Sequence, residues 1–181
     1  MEIEMLFEII IPITTVFVIG LIGYFTIRYN KKQHERTAMM DVFHMLVNSD
    51  HKYAEESIRD AYRENRLMNL HHIVDAYKEF AVIIERNYDQ IGILMHEKLI
   101  PDKSYYITFG HSTVISYRIL YDELKNIRIQ GQPFFRMHFH NLAVDCLHYW
   151  YDKGLQDKHS IADPKTNMPI SKDFFGEKIK P

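Results

Sequence analysis

The chain has 181 residues, 22 Lys and Arg against 24 Asp and Glu, and 46% hydrophobic residues with 13% aromatics, enough apolar material to exclude disorder throughout. A formal charge of −2 excludes a strongly basic, phosphate-driven nucleic-acid binder, so no nucleic-acid partner is expected. Cys146, the one cysteine, excludes an intramolecular disulfide framework and a cysteine-based zinc site.

The first element is an uncharged run of nineteen residues, Ile9 to Ile27. As a helix it would measure roughly 28 Å, close to the hydrocarbon thickness of a bilayer. A cleaved signal peptide would need a basic start, whereas the first eight residues carry Glu2, Glu4 and Glu8 and no Lys or Arg. The run is therefore expected to be a single-pass transmembrane helix at 9–27, following an extracytoplasmic N-terminus at 1–8. Arg28, Lys31, Lys32 and Arg36 flank it on the C-terminal side. The positive-inside rule then puts residues 28–181 in the cytoplasm and the protein in the plasma membrane, with the lipid bilayer as one partner.

Residues 37–48 repeat with helical period, Met39, Met40, Phe43, Leu46 and Val47 on one face and Asp41 and His44 opposite. Asn48, Ser49 and Asp50 offer capping oxygens for a second helix through about Asn65, whose thin apolar face predicts more exposure than its neighbours. Between Leu70 and Met95, apolar residues alternate spacings of four and three, the seam of a helix packed lengthwise on another. Pro101 ends that helix and Asp102 opens the next, which carries Tyr105, Phe109, Thr113, Ser116, Tyr117, Leu120 and Leu124 on one face. After the Gly-Gln-Pro turn at 131–133, a last helix at about 134–153 is apolar nearly all round, the mark of a central helix or one that covers a partner. Gly154 stops it, and 155–181 reads as an extended tail that only Ile170, Phe174 and Phe175 could dock. The expected fold is all-α: one N-terminal transmembrane helix, then a cytoplasmic antiparallel helical bundle at 28–154.

Eleven histidines raise the question of metal chemistry. Asp41-x-x-His44 and Asp145-x-x-His148 each put a carboxylate and an imidazole on one helix face, as di-metal carboxylate bundles do with Glu-x-x-His. Asp41 and His44 project opposite their helix's apolar stripe, which favours solvent. The second pair lies beside the main stripe with Asn141, where a hydrogen-bond network or solvent accounts for it equally well. No metal and no cofactor are expected. Ser112 lies in Gly-His-Ser, but residue 114 is Val and the context is helical, so no nucleophile elbow is present. Cys146 sits mid-stripe as a structural thiol.

The stretch from Tyr77 to Trp150 resembles an uncharacterised family, a domain of unknown function in small prokaryotic membrane-anchored helical proteins. Its landmarks are Phe80, Ile83 and Ile84, then Leu99-Ile100-Pro101-Asp102, then Phe109-Gly110, Ile115 and Leu120, and finally Phe139, Leu142 and Trp150. The resemblance implies an anchor with a helical domain and implies no catalytic residues. The function expected is a protein-interaction or membrane-complex accessory module, with a protein partner or a homo-oligomer; the alternative is a His/Asp metal-dependent membrane-associated enzyme.

Overall fold

A computed structural model describes residues 2–69, 72–155 and 161–180, with side chains from residue 14 onward. Its elements are α1 (Glu2–Val47), α2 (Ser49–Arg63), β1 (Met68–Asn69), β2 (His72–Ile73), α3 (Asp75–His96), α4 (Asp102–Ile129) and α5 (Met137–Asp152). The chain divides into two units, Met1–Ala38 and Met39–Pro181.

The first unit is helical, and its outcome corrects the expected transmembrane span. Among the described residues, no helix is long and apolar enough to cross a membrane. Arg28, Lys31, Lys32 and Arg36 close the apolar run on the C-terminal side, all four exposed. The proposed extracytoplasmic residues 1–8, and 9–13 of the span, lie outside the residues whose side chains are described. The expected transmembrane helix at 9–27 is therefore not found, and the topology that depends on it has no described crossing helix to rest on. Val16, Phe17, Ile19, Ile22, Phe25 and Ile27 are all exposed.

The second unit is a helical bundle. Asn48 starts α2 by accepting the Asp50 N–H at 3.0 Å, as its position before the helix predicted. The seam helix begins later than its periodicity suggests, at Asp75, because Ile73 and Val74 spend their N–H groups elsewhere. Ile73 donates to Glu123 Oε2 at 2.7 Å and Val74 to the Leu67 carbonyl at 2.9 Å. Met68 and Asn69 instead pair antiparallel with Ile73 and His72, two residues a side, too short a ladder for sequence alternation to reveal.

Helix α5 packs against both α3 and α4, and α2 packs against the same two helices. That explains why α5 is apolar nearly all round: Phe139, Leu142, Ala143, Val144, Cys146, Leu147 and Trp150 are all buried. The helices approach closely where small residues permit it. A Cβ added at Gly92 of α3 would lie 2.4 Å from the His138 carbonyl oxygen of α5, a backbone atom that cannot turn aside. Gly92→Ala should therefore destabilise the bundle by about 3 kcal/mol, against the usual helical preference for alanine. Chemical denaturation checks it, and a stabilised variant would show that the two helices are not in contact there.

Candidate peptide-binding groove

Residues 161–180 contain no helix, yet they are packed rather than loose. Ile161, Ile170 and Phe175 are buried, and a bridge between Ala162 and Pro169 closes a turn. Asp163 organises that turn by accepting the Lys165 and Thr166 N–H groups at 2.8 and 3.0 Å, the short-range bonding that suits aspartate to turns. Its other oxygen pairs with Arg118 Nε at 2.7 Å and accepts the Tyr62 hydroxyl at 3.0 Å. Burial alone would raise the Asp163 pKa. The amide bonds, the Tyr62 hydroxyl and the Arg118 charge more than offset it and hold the carboxyl below its ordinary value.

Beyond that turn, 171–180 forms a strap along α5. Phe175 inserts its ring between Tyr117, at 4.9 Å edge to face, and Tyr121, at 5.7 Å. Further on, the strap is held mostly through its own backbone. The Asn141 side chain makes two hydrogen bonds to one residue: its Nδ2 donates to the Ile179 carbonyl at 2.9 Å, and its Oδ1 accepts the Ile179 N–H at 2.8 Å. His140 Nε2 bonds the Glu177 carbonyl at 2.8 Å. Asp145 pairs with Lys178 at 2.6 Å, and Asp152 with Lys172 at 2.6 Å.

The His140 contact rests on a relay inside the bundle. Arg128 spans the turn before α5, donating to the Phe135 and Arg136 carbonyls, and its Nη1 donates to the Tyr117 hydroxyl at 2.9 Å. That hydroxyl lies 2.7 Å from His140 Nδ1. A carbonyl only accepts, so His140 Nε2 carries the hydrogen toward Glu177 and Nδ1 accepts from Tyr117. The pattern requires a neutral imidazole. Burial pushes the His140 pKa down, the bond to Glu177 acts in the opposite sense, and the Arg128 charge lowers it further. Burial likewise pushes the Tyr117 hydroxyl up to about 12, so it stays a donor.

Because its pKa is depressed on folding, His140 contributes stability above its unfolded value of about 6.5 and loses it as the pH falls. Amide exchange at Ile179, corrected for the intrinsic pH dependence, should lose protection below that pH while the α3 amides keep theirs. Equal loss at both would assign the effect to the whole bundle.

The second Asp-x-x-His pair thus finds its place here. Asp145 binds Lys178, and His148 lines a depression of about 470 Å³ with Asp173, Gly176 and Glu177 of the strap. Asp41 and His44 are exposed on α1. Among the described residues no group of three or more His, Cys, Asp or Glu could hold a metal ion, so the two pairs form no common site. Asn141, for which the sequence left a hydrogen-bond network and solvent equally open, bonds the Ile179 backbone; Tyr117, Arg128 and His140 carried no sequence signal for the relay, since their convergence spans two helices.

A second polar cluster lies in the core. Glu55 Oε1 accepts from Tyr88 and from Ser116, each at 2.7 Å, and His51 Nε2 lies 3.6 Å away. Burial raises the Glu55 pKa, but the neighbouring His51 imidazole and the bonds from Ser116 and Tyr88 outweigh it and keep the group below its ordinary value. The residue types suggest a nucleophile with its base, yet the Ser116 hydroxyl donates to the carboxylate and not to the imidazole. A carboxylate held below its ordinary pKa is a weak base for that hydroxyl.

Comparison with known proteins returns no match for this chain, whether to a family model, to a curated protein or to a solved structure. No residue role is therefore carried over from a relative.

Proposed function

We propose that this protein is a non-catalytic protein-interaction module whose α5 groove reads an extended segment of a partner. The observation that supports it is the way the strap is held. One buried aromatic ring and two ion pairs, Lys178 with Asp145 and Lys172 with Asp152, act as side-chain anchors beside Asn141 and His140, which address backbone groups. Backbone-directed bonds with a few anchoring pockets are how extended peptides are recognised. In this reading the strap is the groove's occupant in cis, and a partner segment of like chemistry, an aromatic residue followed three places later by a cation, displaces it. The energetics favour exchange. Burying one phenylalanine contributes about 2–3 kcal/mol and each hydrogen bond about 1 kcal/mol. Ordering each strap residue costs about 1–2 kcal/mol, so the closed state is held by a small margin. The exposed apolar stretch of α1 supports the same reading, since contiguous apolar surface marks contact sites.

The test uses the full chain and a labelled peptide of sequence 171–180. Phe175→Ala loosens the chain's own strap without touching the groove, and should raise the apparent affinity for the peptide at least tenfold, because more of the population is open. Adding Asn141→Ala should abolish that binding. Equal affinity in wild type and Phe175→Ala, or loss of the helical fold in the single variant, would show that the strap is an integral part of the core.

A further inference from the structure

A cleft of about 710 Å³ opens where the end of α2, the outer face of α4 and the 165–166 turn meet. Its volume falls in the range of small-molecule sites. Its chemistry is uneven in a way that selects a ligand. Arg118, Lys125 and Lys165 line it against one carboxylate, Asp122. Arg118 is already paired with Asp163, but neither lysine has an ion pair among the described residues. Each lysine only borders a ring, Lys125 that of Tyr121 at 5.7 Å and Lys165 that of Tyr62 at 6.0 Å. Asn126, which also lines the cleft, has a buried Nδ2 with no acceptor among the described residues. A buried donor without an acceptor costs about 1–3 kcal/mol, and turning the Asn126 amide out toward a ligand oxygen in the cleft would relieve that cost. Leu67, Met68 and Ile129 supply an apolar wall, with the Tyr62 ring beside it.

We propose that this cleft binds a small phosphomonoester carrying a flat or apolar body. A phosphomonoester presents three strong acceptor oxygens and close to two negative charges near neutral pH. Lys125, Lys165, the Asn126 amide and the Thr166 hydroxyl supply matching donors, lysine being well suited to phosphate as a point charge. A bare phosphate would leave most of the volume empty and the wall of Leu67 and Met68 uncovered. Asp122, on the rim, disfavours a more highly charged anion.

The proposal is independent of the α5 groove and is tested on the full chain, with AMP, adenosine and inorganic phosphate as probes in calorimetric titrations. AMP should bind at least tenfold tighter than either of the others. Lys125→Glu with Lys165→Glu, two exposed substitutions, should weaken AMP at least tenfold with the helical spectrum intact, and Asp122→Asn should strengthen it. Shifts of the Asn126 side-chain amide resonances on adding AMP should locate the site. Adenosine or inorganic phosphate binding as tightly as AMP, or a lysine variant with unchanged affinity, would overturn the proposal.

Discussion

Phe139→Ala should lower the unfolding free energy by about 4 kcal/mol, a large part of the total stability of a domain this size. The ring is fully buried at the junction of α3, α4 and α5, stacked on Tyr88 at 5.0 Å and edge-on to Tyr117 at 4.9 Å. Truncation removes both aromatic contacts and leaves a cavity bounded by two tyrosines whose hydroxyls are committed, Tyr88 to Glu55 and Tyr117 to the His140 relay. Those bonds restrain the rings from collapsing into the space, and that places this site toward the upper end of the phenylalanine-to-alanine range. The Phe139 N–H itself is bonded to Asp89 Oδ1 at 3.0 Å, which pins the start of α5 to α3 and limits backbone relaxation. Urea denaturation measures the loss. A change below about 1 kcal/mol would mean that the three-helix junction repacks freely.

Glu85→Gln should stabilise the protein at alkaline pH by about 3 kcal/mol and leave it unchanged near pH 4. The carboxyl is only 5% exposed, on the face of α3 that meets Arg136. Burial pushes its pKa up to about 7, and Arg136, 3.4 Å from Oε2, offsets only part of the rise. Glu123 and Asp89 add to it by repulsion. The folded state therefore holds a proton that the unfolded chain has released by then. Between the ordinary value of 4.5 and about 7, the contribution of this group to stability falls as the pH rises. Glutamine keeps the shape of the protonated acid and removes that dependence, while Arg136 retains Asp89 at 3.9 Å. Paired denaturation curves at pH 4 and pH 8 give the difference directly. A variant less stable than wild type at pH 8 would show that the ion pair with Arg136 outweighs the cost of burying the charge.

The same helices show how far the sequence could be read and where it could not. The a/d seam from Ala81 to Met95 and the all-round apolarity of α5 became the buried contact between those helices, because burial follows hydrophobic period directly. The N-terminal run had the composition of a membrane span, and hydropathy alone could not separate that from a long helix with an uncovered flank. Asp145 and His148 had a helical spacing compatible with metal ligation. Their surroundings are set by residues 173–178, some thirty positions further on, and spacing within one helix carries no information about what arrives from there.

Composition, period and end signals by themselves determined a helical chain, the approximate bounds of α2, α4 and α5, and the buried faces of α3 and α5, but not that of residues 37–48, where Met40 and Phe43 are exposed and Val42 is buried. Those properties depend on neighbours within one or two turns, where propensity, capping and burial act locally. Only the tertiary structure decided that residues 171–180 lie along α5, that Arg128, Tyr117 and His140 form one relay, and that Lys125 and Lys165 share a cleft with an Asn126 amide that has no acceptor among the described residues. Each of these joins groups from separate segments, and bringing such groups together depends on how the helices pack rather than on the order of residues along any one of them.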